Sequence, residues 1–421
     1  MALPLTSCNE VEVTIPYTED HTVNIYFKVT RYGFPKPDLI IQLDNMHTIK
    51  LYLNEHTLPL PGIYLFKNNT IVNTKHILLT PNTWYNLIIN YTKGRLHIHL
   101  KVLNKTYLAV NVTYTSSLFT QGLAFNGKYW FITRTTTIYK LTKNMSKVIK
   151  YNAKPILENL RKEEYFHLGD LDYYNNTLII PIERKGFKSP TIIALYNPNT
   201  LKLTKYSYTP QSHMPWIAID CKGYIYTSEF THVKTIYVYH IKQIGTGNFI
   251  KPIRTIKLKE LLERVQGGVI INDNTLALTT DDGNHIYIIN INNGEIEAKI
   301  WTPGFHEIEG IEAIQTDNKT HLYILYNTHE SNNLIYQYTL IDKNQTLQLF
   351  NITCKPYHKV KVIYNQETIQ LLNTTPITHT SPIHTPTVRH IEILLIAITI
   401  TAIALLLTLL VKLKGSTLRQ H

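Results

Sequence analysis

QGLAFNGKYWFITRT, residues Gln121 to Thr135, decides how the rest of the chain is read. A short apolar strand, a polar turn at Asn126-Gly127-Lys128 and a second strand follow one another, and the pattern returns four times. The other copies are LGDLDYYNNTLIIPIE (Leu168–Glu183), PWIAIDCKGYIYTSE (Pro215–Glu229), QGGVIINDNTLALTTD (Gln266–Asp281) and EGIEAIQTDNKTHLYILYN (Glu309–Asn327). The equivalent positions Gly122, Gly169, Pro215, Gly267 and Gly310 are spaced 47, 46, 52 and 43 residues apart. After each copy comes a further strand of one type: TIYKL, TIIALYN, TIYVYHI, HIYIINI and LIYQYTL.

Units of about four strands at 40 to 50 residues are the sequence signature of a β-propeller, because no unit buries both its faces alone and the units must stack about an axis. Residues 118–372 are therefore expected to form five blades. The stretch 351–372, with KVKVIYNQETIQLL, is expected either to build a sixth blade or to close the ring as an outer strand.

The repeat gives each polar residue an address. Arg134, Glu183, Glu229, Asp281 and Asn327 end the second strand of successive copies, after mostly apolar runs, and are expected to gather at one mouth of the ring. Gln121, His167, His213, Gln266 and Glu309 begin the innermost strands and are expected to line the channel. Asp170, Asp172 and Glu312 lie further along those strands. Carboxylates and carbonyls suit calcium, whereas His suits zinc or another transition metal. The consecutive carboxylates Glu183, Glu229 and Asp281 make a calcium ion, or a cationic or polyhydroxylated ligand, the expected occupant. No nucleophile elbow, Walker loop, HExxH or dinucleotide fingerprint is present, so binding is expected rather than catalysis.

Upstream, residues 10–116 alternate apolar and polar positions in VNIYFKV, LIIQL, TIKLYL and GIYLF, separated by Pro, Gly and Asn. Within it, TWYNLIINYTKGRLHIHLKV (Thr83–Val102) pairs a Trp-led strand with a tight Lys93-Gly94 turn and a second alternating strand. This hairpin resembles the laminin-G and concanavalin-like jelly rolls, which implies an N-terminal β-sandwich. Downstream, Ile393–Val411 (ILLIAITITAIALLLTLLV) is a run of nineteen residues without a charge. As a helix it would span roughly 28 Å, about the hydrocarbon thickness of a bilayer. The sequence thus predicts a transmembrane helix over 391–412. Lys412, Lys414 and Arg419 follow the run, so positive-inside bias puts a basic tail, 413–421, in the cytoplasm and the remainder outside. Residues 373–390 read as a Thr/Pro-rich stalk. The N-terminus, MALPLTSCNEVEV, carries neither a basic nor an apolar signal-peptide region, which leaves open a tail-anchored chain facing the cytoplasm.

Ten N-x-[ST] sequons, at Asn68, Asn90, Asn104, Asn111, Asn144, Asn175, Asn318, Asn344, Asn351 and Asn373, are roughly twice the number that composition gives by chance, and they point to a glycoprotein. A formal charge of +12 invites a nucleic-acid reading, but Lys and Arg are scattered singly, and nucleic acid is not an expected partner. Charged residues make up only 17%, which fits an acidic medium. Cys8, Cys221 and Cys354 have no metal-binding spacing. The expected molecule is a single-pass surface glycoprotein that recognises a glycan or protein ligand, with an anchored hydrolase or lyase and a structural envelope component as rivals. Its richness in Ile, Tyr, Asn and Thr resembles surface proteins of thermophilic archaea and of their enveloped viruses, implying a cell membrane or a virion envelope.

Overall fold

A computed structural model describes residues 8–378 apart from 15–20, 30–37, 44–45, 54–61, 80–82, 93–94, 104–105, 303–306, 317–318, 329–332, 343–344, 354–358, 366–368 and 372–375. The chain is all-β and propeller-like. Among the described residues there is one short α-helix, Glu158–Lys162, and one 3-10 turn, Ile241–Gln243.

Five antiparallel sheets follow the five sequence copies. Blade one is Gly122–Phe125, Trp130–Arg134, Thr137–Leu141 and Val148–Asn152. Blade two begins with Tyr165–Leu168 and Asp172–Tyr174, then Thr177–Arg184, Thr191–Tyr196 and Leu203–Thr209. Blade three is Ala218–Ile219, Tyr224–Thr227, Val233–His240 and Arg254–Leu262, and a segment of its excursion, Thr246–Phe249, adds in parallel to the edge of blade two. Blade four is Val265–Asn272, Thr275–Thr280, His285–Asn290 and Ile296–Trp301. Blade five contributes Glu307–Thr316, Lys319–Asn327 and Asn333–Ile341. The first strand of each blade touches that of the next, and the fifth touches the first, so the ring is closed.

Each gap between neighbouring blades holds its own apolar cluster. Phe131 and Ile138 meet Leu168 and Leu178 between blades one and two. Ile193 meets Ile225, Trp216 meets Leu276, and Ala277 meets Leu322 in the next three gaps. Trp130 and Ile132 meet Leu325 and Ile335 in the last. At roughly 25 cal/mol per Å2 of apolar area, such burial is what holds sheets that share few hydrogen bonds.

The outer strand of blade five is Tyr107–Ser116, which pairs antiparallel with Asn333–Ile341 along its whole length. It comes before blade one in the chain, so the ring is latched by its own N-terminal end. The residues expected to do this, or to form a sixth blade, pair elsewhere. Thr346–Thr353 pairs with Arg95–Val102, Lys359–Asn365 with Cys8–Thr14 and Leu39–Gln42, and Ile369–Leu371 with His21–Val29. The expected division at 116/118 and the assignment of 351–372 to the ring are corrected accordingly. Alternation marks a segment as a strand but does not name its partner.

The second body is thus built from both ends of the ring-forming segment. One sheet runs Cys8–Thr14, Lys359–Asn365, Leu39–Gln42, His47–Tyr52, Gly62–Lys67 and Thr70–Leu78, then continues through Tyr107–Ser116 into blade five. The other runs Thr346–Thr353, Arg95–Val102, Thr83–Thr92 and His21–Val29. They enclose one core containing Ile25, Phe27, Ile41, Leu51, Leu87, Ile98 and Leu100. The expected hairpin is present, with Thr92 opposite Arg95. Ile393–Val411 lies outside the described residues, and among those described no helix is long and apolar enough to cross a membrane.

Candidate functional site at the ring mouth

In every blade the second strand runs antiparallel to the first, so the end of one lies beside the start of the other. Glu183 is paired with His167, and Asn327 with Glu307. The two sets of polar residues read from the sequence therefore make one mouth, not a rim and a separate channel. Two polar groupings occupy it.

The first spans blades two and three. Glu183 is fully buried, with Oε2 2.7 Å from His167 Nδ1. Its Oε1 lies 3.7 Å from His213 Nε2, too far for a hydrogen bond, and has no other partner. The imidazole of His213 stacks on Phe187 at 3.9 Å between centroids and tilts against Phe230 at 4.5 Å. Burial holds His213 below its usual pKa, the neighbouring His167 adds to this and Glu183 opposes it. Glu229 accepts the backbone N–H groups of His213 at 2.9 Å and Ser212 at 3.2 Å. Burial, and to a smaller extent the charge of Glu183, nevertheless raise its pKa.

The second grouping spans blades four, five and one. Asp281 accepts the N–H of Ile308 at 2.7 Å and bonds from Arg264 Nη2 and Gln266 Nε2, both at 3.1 Å. Gln266 also donates to Glu307 at 3.0 Å. Glu309 Oε1 accepts from Gln121 and Asn327, each at 3.2 Å. Burial and then repulsion from Glu307 push Asp281 up to about 6 and Glu309 well above the carboxylate range. Arg264 lies 5.7 Å from the centroid of Phe230, so its guanidinium joins the two groupings by a cation–π contact.

Not every expected residue belongs here. Arg134 is exposed and forms no ion pair with these carboxylates. Asp170 sits at the centre of the ring. Its carboxylate accepts the N–H groups of Leu123, Gly268 and Ile311 at 3.1, 3.3 and 3.3 Å, from blades one, four and five. Its own N–H donates to Pro215 O of blade three at 2.7 Å. One residue of blade two, through its carboxylate and its own N–H, therefore ties all five blades, and that carboxylate is spent on structure. Two of the recurrent glycines follow from it: a Cβ at Gly122 would stand 2.4 Å from Asp170 Cα, and one at Gly310 2.8 Å from Asp170 Oδ1. Asp172 and Glu312 lie deeper along the strands and accept the N–H groups of Ile219 and Phe125.

Glu183, Glu229 and Asp281, expected to hold calcium, are not gathered into one group. Glu183 and Glu229 flank His213, while Asp281 is taken by Arg264, Gln266 and Ile308. Among the described residues no group of three or more His, Cys, Asp or Glu is disposed to hold a metal ion. Sequence reasoning missed Arg264, Glu307, Phe187 and Phe230. Strand alternation was the available signal for two of them, since Arg264 and Glu307 each stand two residues before an expected channel residue.

No protein-family model and no curated protein matches the chain. Solved structures similar in shape include a Myxococcus xanthus glutaminyl cyclase, at 10% identity and TM-score 0.41 over 56% of this chain and 97% of that one. Others are the WD40 β-propeller domain of Doa1, at 8% and 0.32 over 74% and 96%, and BamB from Moraxella catarrhalis, at 12% and 0.29 over 70% and 83%. These likenesses concern the all-β, propeller-like shape and nothing beyond it.

Proposed function

We propose that the chain is a membrane-anchored surface glycoprotein that recognises a polyhydroxylated ligand, a glycan, at the ring mouth. The observation that carries this is the blade-two and blade-three grouping. An exposed aromatic face, Phe187 at 42%, lies over His213 in front of the buried carboxylate of Glu183, whose Oε1 accepts no hydrogen bond. A sugar presents an apolar face of C–H groups and an edge of hydroxyl donors, which match an aromatic ring beside one unspent carboxylate oxygen.

In this reading the ring is a five-bladed propeller and the second body a jelly roll of laminin-G or concanavalin type. The Thr/Pro-rich stalk holds both outside, on the helix over 391–412, at a cell membrane or virion envelope. The charge-free run, the basic flank after it and the sequons support that placement. Deleting 391–421 should release a soluble, folded chain. Titrated against a glycan panel, that fragment should bind, and F187A should weaken binding roughly tenfold. Absence of binding by the wild type across the panel, or a truncation that stays with the membrane, would reject the reading.

One contact favours a second reading, an anchored hydrolase. His167 Nδ1 is held by Glu183 at 2.7 Å, an arrangement that fixes an imidazole as a general base. Turnover of an ester or glycoside panel, lost in H167Q, would favour it over pure recognition.

A further inference from the structure

We infer that the connections of the ring are N-glycosylated at one end only, at Asn144 and Asn175, and that this leaves the mouth bare for its ligand. The inference rests on the proposal that the chain is translocated and binds at the mouth.

Alternating strand direction assigns every connection to an end. Connections from second to third strands, around 135–136, 185–190, 228–232, 281–284 and at Thr328, lie at the mouth. Those from first to second and from third to fourth strands lie at the far end. No mouth-end connection contains an N-x-[ST] triplet. Asn144 lies between Thr137–Leu141 and Val148–Asn152, and Asn175 between Tyr174 and Thr177, which are paired to each other. Both are therefore at the far end, and both are exposed. A third triplet, that of Asn318, falls in sequence between Thr316 and Lys319, which pair at this same end; Asn318 itself is outside the described residues.

The local geometry suits modification. Asn144 Oδ1 receives the Ser146 hydroxyl at 2.8 Å and the Ser146 N–H at 3.2 Å, so amide and hydroxyl of the sequon already face each other. Among the described residues its Nδ2 donates no hydrogen bond. Asn175 holds φ at +41° in a two-residue turn, and its side chain makes no hydrogen bond among the described residues. In the transfer, Nδ2 attacks the anomeric carbon of a lipid-phosphate-linked oligosaccharide. An N–C bond forms, the C–O bond to the lipid phosphate breaks, and the amide proton passes to the transferase. The attached glycan is bulky and hydrated, so at the far end it covers that surface and leaves the mouth open.

The test expresses the full chain in a glycosylating host and measures glycopeptides by mass spectrometry. Asn144 and Asn175 should each carry a glycan, and N144Q and N175Q should each remove one. The exposed sequons Asn68 and Asn351, in the other body, report translocation independently. Glycans at these two with bare Asn144 and Asn175 overturn the inference alone. A chain bare at every sequon overturns it together with the glycoprotein reading, though not translocation alone. Openness of the mouth is read by carbethoxylation of His167, whose side chain is 17% exposed. The rate should be the same in the glycosylated wild type and in the N144Q/N175Q double variant. R134N completes a sequon with Thr135 and Thr136 at the mouth, and its glycan should slow the reaction, whereas R134N/T136A should not. A wild type that reacts as slowly as glycosylated R134N overturns the bare mouth.

Discussion

The carboxylate of Asp170 accepts the backbone N–H of Ile311 at 3.3 Å, joining blade two to blade five across the axis of the ring. The same side chain takes N–H groups from Leu123 and Gly268. A donor left unpaired in a buried site costs on the order of 1–3 kcal/mol, more than a hydrogen bond gains in water. D170A strands three such donors and opens a void, so it should cost at least about 3 kcal/mol and cut the melting temperature sharply. A melting temperature within a degree or two of wild type would show that the hub is dispensable.

Ring closure gives a fragment test. Residues 117–341 contain every blade but lack Tyr107–Ser116, leaving the edge of Asn333–Ile341 unpaired. Open, apolar edges pair with other chains. That fragment should aggregate or lack cooperative unfolding, whereas 106–341 should unfold later and remain more soluble. Equal behaviour of the two by light scattering and thermal melts would refute the latch.

The carboxyls of the ring set the sign of its pH dependence. Asp172 is raised to about 7, by burial against the opposing bonds from Ile219 and Tyr173. Asp281 is raised to about 6, and burial followed by repulsion from Asp172 raises Glu312 well above its usual range. An acid whose folded pKa exceeds its unfolded one keeps its proton longer in the folded state. Between about pH 4 and 7 the folded chain then binds more protons than the unfolded one, so stability falls as pH rises through that window. Melting temperature should be higher at pH 5 than at pH 8, and D172N should flatten the slope above pH 6. A stability maximum at or above neutrality would contradict this, and with it the expectation of an acidic medium.

Calcium is a further test of the mouth. Binding at 100 times the dissociation constant stabilises a fold by roughly 2.7 kcal/mol. With Asp281 taken by Arg264 and Gln266, and with Glu183 and Glu229 arranged about His213, neither calcium nor a chelator should move the melting temperature. A rise with calcium that E183Q/E229Q removes would restore the metal site.

Much of the ring was legible because it repeats. Gly122, Gly169, Pro215, Gly267 and Gly310 marked the inner strands, and their spacing gave five units. Why Gly122 and Gly310 are small was not legible, since the cause is Asp170, a residue of one unit crowding the backbone of two others. The mouth was half legible: Glu183, His167 and His213 were named from their addresses, but the aromatic rings over them sit in connections that the repeat does not align.

The sequence by itself determined the strands, their faces and their grouping into five units, because alternation and turn chemistry act over a few residues. The tertiary structure alone decided partners. Tyr107–Ser116 alternates as the strands before it do, yet it lies between Thr70–Leu78 and Asn333–Ile341. Lys359–Asn365, the expected extra ring strand, instead lies between Cys8–Thr14 and Leu39–Gln42. Both ends of a strand pairing contribute backbone donors and acceptors that look alike along the chain. Which edges meet is set by closing a ring and by enclosing a core, conditions that hold over the whole fold and are written in no single segment.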